Sequence, residues 1–121
     1  MAAALFAEAT ADEAVALTAA YRLHAPALMA YELCQVARTK LRRGEAAVSV
    51  LQAQLVDFEE TAIELCDVSL PAVLTLAQRY DLTAYDASYL WLAAELRAPL
   101  ITFDRRLGVA AQEHMRSLGA P

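Results

Sequence analysis

Two short segments suited to β-strands lie among much longer helical segments, and this alternation constrains the fold most strongly. Residues 63–68 (Ile-Glu-Leu-Cys-Asp-Val) alternate and carry a β-branched residue at each end, which predicts a short strand. Residues 99–103 (Pro-Leu-Ile-Thr-Phe) form a compact apolar run that predicts a second strand. Strands that alternate with helices indicate a parallel sheet covered by helices. The expected fold class is therefore α/β.

The helical segments have recognisable beginnings and ends. Pro26 suits the first turn of a helix, Gly44 suits the position just after a helix, and Thr83 and Asp104 are typical N-caps. We place His24 in the loop before Pro26. The predicted helices cover residues 2–6, 12–21, 26–43, 45–58, 71–80, 84–97 and 105–118.

The composition indicates one well-packed domain over residues 1–121. Hydrophobic residues make up 59% of the 121 residues, and only three glycines and four prolines interrupt them. The apolar stretches are shorter than a membrane span, and the first residues have no basic segment of the kind that opens a secretory signal. We therefore expect a cytoplasmic protein, in which Cys34 and Cys66 are buried thiols rather than a disulfide or a metal motif.

Three carboxylates lie at positions where chemistry and structure compete as explanations. Glu32 shares the apolar stripe of its helix, so it needs a hydrogen-bonding partner or a metal, although a glutamate at the stripe edge could also reach solvent or an arginine. Asp86 lies three residues after Thr83, as in a capping box. Asp104 follows the predicted strand 99–103, where N-capping explains it equally well.

Taken together, these carboxylates predict a site for Mg²⁺ or Mn²⁺. The carboxyl ends of parallel strands are where α/β sheets bind ligands, and hard divalent cations prefer oxygen ligands. Such ions activate water for attack on a phosphodiester. The net charge of −5 argues against bulk attraction to nucleic acid. Two basic clusters could nevertheless contact phosphates, or be solvated helix faces; they are Arg38, Lys40, Arg42 and Arg43, and Arg105 with Arg106.

Three segments resemble the signature of the PIN-domain family. Residues 82–93 contain Tyr-Asp-Ala-x-Tyr on a predicted helix, and residues 98–107 end in Thr-x-Asp-Arg-Arg-Leu. Upstream, residues 25–33 (Ala-Pro-Ala-Leu-Met-Ala-Tyr-Glu-Leu) match the family's Ala-Pro opening followed by a glutamate. The resemblance covers nearly all of the chain and is closest to the VapC-type toxins.

The resemblance implies a three-layer fold and a metal-dependent ribonuclease. Glu32, Asp86 and Asp104 match three of the family's four acidic positions, and Thr102 matches a hydroxyl position near the metals. Asp86 and Glu32 are then metal ligands, Asp104 completes the cluster directly or through water, and water is the attacking group. The family also implies an RNA substrate, a homodimer and a small antitoxin partner, with no membrane association.

The beginning of the chain departs from the family pattern. PIN domains open with a short strand that delivers the first catalytic aspartate, whereas residues 1–8 here favour a helix and contain no aspartate. Glu8, Asp12 and Glu13 are poor substitutes. We therefore expect the first strand to be missing, because the true start lies upstream, because the nuclease is degraded, or because the domain has become a binding module. A missing central strand would favour dimer exchange or partner addition.

Two rival functions follow from these expectations. A weakened or inactive endoribonuclease requires the carboxylates to bind metal. A non-catalytic PIN-like module, which dimerises or binds a partner peptide, keeps the same residues as caps and ion pairs. An unrelated alanine-rich helical domain is the third alternative. His24 and His114 fit loop and exposed helix positions better than catalytic ones, and Tyr89 and Trp91 fit the core or an interface.

Overall fold

The protein is an α/β domain in which short parallel strands alternate with helices. The computed structural model describes residues 2–4, 11–102 and 104–119. Among these residues, no helix is long and apolar enough to cross a membrane. In chain order the elements are β1 (Ala2–Ala4), α1 (Ala11–Leu17), β2 (Arg22–Pro26), α2 (Met29–Arg42), α3 (Val48–Glu59), β3 (Glu64–Cys66), α4 (Leu70–Tyr80), α5 (Ala84–Leu96) and α6 (Arg105–Ser117).

The three strands form one parallel sheet in the order β1-β2-β3. The backbone of Ala4 is in register with His24, and His24 is in register with Glu64. Leu23 and Ala25 point into the core, where they are 2% and 0% exposed. Since side chains alternate along a strand, His24 lies on the opposite face of the sheet.

Helix α5 lies at the centre of the fold. It packs against α4, α6, β1 and β2, while α3 packs against both α1 and α2. A helix that is apolar all round belongs in an interior, and α5 buries six of its residues. They are Ala87, Ser88, Tyr89, Leu90, Leu92 and Ala93. The predicted α/β class, with helices around a short parallel sheet, is confirmed.

The prediction that the first strand is missing is wrong. Residues 2–4, which the sequence favours as helix, form strand β1 beside β2. Alanine has a high helix propensity, but the ladder of backbone hydrogen bonds to β2 decides the conformation of so short a segment. The expected gap in the sheet, and the dimer exchange argued from it, therefore lose their basis. Strand β1 carries no carboxylate, and Glu8 lies outside the described residues.

Two other boundaries also differ from the prediction. Pro26 is the last residue of β2 rather than the first of a helix, and α2 begins at Met29. Pro26 is tolerated there because a missing N–H at a strand end removes little of the ladder. Residues 99–102 contain one isolated bridge, at Leu100, instead of a strand. Just beyond the bridge, the N–H of Asp104 donates a hydrogen bond to the hydroxyl of Thr102 rather than to a neighbouring strand. Residue 103 lies outside the described residues.

The helix ends that were predicted from a capping residue, at Thr83 and Gly44, are confirmed. The hydroxyl of Thr83 accepts a hydrogen bond from the N–H of Asp86, as an N-cap does. Gly44 has a φ of 70° just after the C-cap of α2. That left-handed conformation is one that glycine adopts at low cost. Segment 63–68 contains the predicted strand, as β3.

His114 is not the exposed helix residue that the sequence suggested. It is only 7% exposed, and its Nδ1 lies 3.1 Å from the hydroxyl of Tyr80. The two rings also meet edge to face, with their centroids 5.6 Å apart. Burial, and secondarily the charge of Arg79, lower the pKa of His114. His114 therefore joins α6 to α4 as a largely neutral ring.

Candidate active site

Glu32 lies in the first turn of α2, next to the buried residues Met29 and Leu33. The side chain is half-buried, as its position on the apolar stripe predicted. Its Oε1 accepts a hydrogen bond from the hydroxyl of Tyr89. A partly buried carboxylate is thus satisfied by a buried phenol on another helix.

Asp86 lies in the first turn of α5, three residues before Tyr89. Residues three apart on a helix are neighbours on its surface, so the carboxylate and the phenol share one side of α5. The side chain of Asp86 is half-buried. A carboxylate in a first turn is also favoured by the helix dipole. The same position therefore serves helix stability and the candidate site.

The phenol of Tyr89 bonds Glu32 and is influenced by the charge of Asp86. Tyr89 has no exposed surface. Burial raises its pKa, and the hydrogen bond to Glu32 and the charges of Glu32 and Asp86 raise it further. The phenol therefore stays protonated as a donor, and both carboxylates act on it. The sequence assigned Tyr89 to the core; the spacing Asp86-x-x-Tyr89 was the available signal of its second role.

Asp104 and Thr102 form a local arrangement of their own. The Oδ1 of Asp104 accepts a hydrogen bond of 3.0 Å from the N–H of Leu107, which confirms the predicted N-cap of α6. The hydroxyl of Thr102 accepts one of 3.0 Å from the N–H of Asp104. Both side chains are half-buried. The hydrogen bonds found for Asp104 are therefore those of a cap, whereas Glu32 is held by a hydrogen bond from Tyr89 on α5, the helix that also carries Asp86.

The predicted phosphate-binding residues lie on two helices. Arg38, Lys40 and Arg42 follow Glu32 along α2, where the two arginines are exposed and the lysine is half-buried. Arg105 and Arg106 are exposed at the start of α6. The guanidinium of Arg106 lies 2.5 Å from Asp81, at the C-terminus of α4. Arg106 is therefore engaged within the protein.

Comparison with known proteins defines the protein family to which the chain belongs. The PIN domain family model matches residues 1–113, and the chain belongs to this family. The chain is 32% identical over 96 residues to Ribonuclease VapC3 of Pyrobaculum aerophilum, covering 76% of this chain and 73% of that protein. A solved structure, PAE2754 from Pyrobaculum aerophilum, superposes with a TM-score of 0.71 and 27% identity, covering 100% of both chains. The predicted resemblance to VapC-type PIN proteins is confirmed.

Proposed function

We propose that this chain is a metal-dependent endoribonuclease of the VapC type, acting as the toxin of a toxin–antitoxin pair. The observation that carries the proposal is the hydrogen bond from the buried phenol of Tyr89 to Glu32, one turn along α5 from Asp86, whose charge also acts on that phenol. Membership of the PIN family supports nuclease chemistry. The name of the similar Pyrobaculum protein, Ribonuclease VapC3, supports RNA as the substrate class.

The donor atoms of the site fit Mg²⁺ or Mn²⁺. Glu32 and Asp86 offer carboxylate oxygens, the ligands that hard divalent cations prefer. These two residues would hold the ion, with Asp104 completing the cluster directly or through water. When bound there, such an ion would supply polarisation of a phosphoryl oxygen and a lowered pKa for the water that would attack the phosphodiester.

The protein's own groups keep the carboxylates in place. Tyr89 orients Glu32 by donating a hydrogen bond from its hydroxyl. The raised pKa of Tyr89 keeps that hydroxyl protonated across the physiological range. The N-cap hydrogen bond to the hydroxyl of Thr83 fixes the first turn of α5 and therefore the position of Asp86. The turn between Thr102 and Asp104 fixes the start of α6. Catalysis by such a site rests on positioning and on charge rather than on a covalent intermediate.

The basic residues are proposed to contact the RNA backbone. Arg38 lies six residues after Glu32, about 9 Å along the helix axis and about 120° around it, so its exposed side chain would meet phosphates that flank the cleaved bond. Arg105 flanks Asp104 in the sequence. Arg106 has to leave Asp81 first, but an exposed ion pair is worth only about 0–1 kcal/mol. We therefore expect Arg38 and Arg105 to contribute more than Arg106.

Cleavage of a mixed structured RNA tests the proposal. The reaction is run with Mg²⁺ or Mn²⁺ and with a chelator, using the wild type, Asp86→Asn and the matched control Asp57→Asn, which changes an exposed carboxylate of α3. We expect the chelator to abolish cleavage. Asp86→Asn should lower the rate by about a hundredfold or more, or about 3 kcal/mol of transition-state stabilisation. Equal rates for Asp86→Asn and Asp57→Asn would contradict the proposal.

A non-catalytic PIN-like module is the alternative. It is favoured by the cap at Asp104 and by the hydrogen bond to Glu32, which give these acids a role without metal. On this alternative, folded wild-type protein cleaves no RNA with either metal. The measured outcome of the same assay therefore decides between the two functions.

A homodimer and a small antitoxin complete the proposal. Leu70 and Leu74 lie one turn apart on α4 and are 72% and 69% exposed. Apolar side chains grouped in this way are typical of protein interfaces. Light scattering of the purified chain measures its mass directly, and a mass of one chain at micromolar concentration would contradict the homodimer.

A further inference from the structure

A second group of ligating side chains lies on β2 and β3. In the parallel register, His24 is opposite Glu64 and Pro26 is opposite Cys66. Residues in register, and those two apart on a strand, share one face of the sheet. His24, Glu64 and Cys66 therefore project from the same face. This face is opposite the one on which Leu23 and Ala25 enter the core.

The ligand atoms of these three side chains approach closely. One ligand atom from each lies within 4.8 Å of the others. The Nδ1 of His24 lies 3.2 Å from the Oε2 of Glu64. Although this distance suits an ion pair, Nδ1 is buried and has no hydrogen-bonding partner of acceptable geometry among the described residues. A buried nitrogen without such a partner is costly, and a metal ion would use its lone pair.

The chemistry of the three donors selects the ion. A nitrogen, a carboxylate oxygen and a sulfur are together a Zn²⁺ ligand set, whereas Mg²⁺ and Ca²⁺ avoid thiolates. With bonds of about 2.0–2.3 Å, tetrahedral Zn²⁺ needs ligand atoms about 3.4–3.7 Å apart. The side chain of Glu64 is 65% exposed, so it is free to close the remaining distance. The fourth position is left for water.

We propose that His24, Glu64 and Cys66 bind Zn²⁺ and thereby fasten the edge strand β3 to β2. This strand has only three residues, and β2 is its partner in the sheet. An ion that bridges both strands adds a crosslink to a ladder of few hydrogen bonds. The site is separate from the carboxylates of the proposed nuclease and supports the sheet rather than the reaction.

A cross-strand ion pair between His24 and Glu64, with Cys66 as an ordinary thiol, is the competing explanation. Burial, and then the charges of Glu64 and Asp67, raise the pKa of Cys66. Without metal the thiol is therefore protonated, and Zn²⁺ has to displace that proton as it binds. Thiolate coordination is consequently the observation that separates the two explanations.

Co²⁺, a spectroscopic substitute for Zn²⁺, tests the site in the full chain. The wild type should show the near-ultraviolet band of a cobalt thiolate and the visible bands of tetrahedral Co²⁺, saturating at one thiolate-bound ion per chain, and Zn²⁺ should displace them. Cys66→Ser should lose the thiolate band. Cys34→Ser changes the other free cysteine, which is exposed rather than buried as the sequence predicted, and should keep the thiolate band. Circular dichroism establishes that each variant is folded.

Thermal unfolding supplies a second readout that does not depend on the spectrum. Zn²⁺ in excess should raise the Tm of the wild type and of Cys34→Ser, because an ion that binds the folded state stabilises it. Glu64→Gln and Cys66→Ser should show a smaller rise, because only Zn²⁺ bound at the proposed nuclease carboxylates would still stabilise them. Asp86→Asn should keep the cobalt bands and the Tm shift, so failure of the nuclease proposal is distinguishable from failure of this one. A cobalt spectrum without the thiolate band, or one that depends on Cys34, would overturn the proposal.

Discussion

At the residue scale, Tyr89 has two functions that are usually separate in a protein. Its ring is part of the core, and its hydroxyl donates to the carboxylate of Glu32. A hydrogen bond to a charged group contributes more than one between neutral groups. The energy of the core and the geometry of the candidate site are therefore coupled through one atom, the phenolic oxygen.

Removing the phenolic oxygen of Tyr89 should weaken both the stability of the core and the positioning of Glu32. In Tyr89→Phe the ring still fills the core, but Glu32 loses its donor, so the free energy of unfolding should fall by about 1–3 kcal/mol. Urea unfolding measures the loss. The matched control is Tyr85→Phe on the same helix, where the tyrosine is 63% exposed and the change should be nearly neutral. Equal losses in the two variants would show that the hydroxyl of Tyr89 does not support Glu32.

The buried pair of His114 and Tyr80 predicts a pH dependence of stability. The folded-state pKa of His114 lies below its ordinary value of 6.5, so the folded state binds fewer protons than the unfolded state between those two values. Stability from this group is complete above pH 6.5 and declines as the pH falls from there towards the folded-state pKa. Chemical unfolding between about pH 5 and 7 should therefore show a shallower slope in His114→Gln than in the wild type. Identical slopes in the two proteins would contradict the assignment of this pH dependence to His114.

At the element scale, all three predicted carboxylates lie at helix N-termini, with Glu32 in the first turn of α2. Asp86 is in the first turn of α5 and Asp104 caps α6. Both positions favour an acid for reasons of helix stability alone. A substitution that removes the carboxylate is therefore informative only when the cap itself is preserved.

Substitutions of Asp104 can separate the loss of the carboxylate from the loss of the helix cap. Serine caps a helix about as well as aspartate but carries no charge, so Asp104→Ser should leave the free energy of unfolding nearly unchanged, whereas Asp104→Ala should cost about 1 kcal/mol. If Asp104 completes the metal cluster, both variants should lose RNA cleavage. Should Asp104→Ser cleave RNA at the wild-type rate, Asp104 is a cap and not part of the nuclease site.

At the scale of the whole molecule, local chemistry made much of the fold predictable. Thr83, Asp104 and Gly44 mark helix ends by hydrogen bonds and backbone conformation that act within a few residues. These signals do not depend on the rest of the fold. The helix ends that they mark could therefore be predicted closely. The same holds for Glu32, whose half-buried position follows from the helical period.

The features that were missed depend on distant partners. Residues 2–4 become a strand because β2 lies beside them. His24, assigned to a loop, becomes a strand residue and meets Glu64 forty residues later. Cys66 was judged against the spacing of cysteines alone, and no such spacing reveals a histidine on the neighbouring strand. Pairing across a sheet, rather than local propensity, decides these positions.

Whether Glu32 and Asp86 hold a divalent metal is the central question for function. Mn²⁺ titration, followed by the loss of the paramagnetic signal of the free ion, measures this directly. It is best done in the Cys66→Ser background, so that the group at His24 and Glu64 lacks its thiol. Asp86→Asn should weaken binding by about tenfold or more, equivalent to about 1.4 kcal/mol, while Asp57→Asn should leave it unchanged. Equal Mn²⁺ affinities in the two variants would contradict a metal-dependent nuclease and leave the carboxylates as structural groups.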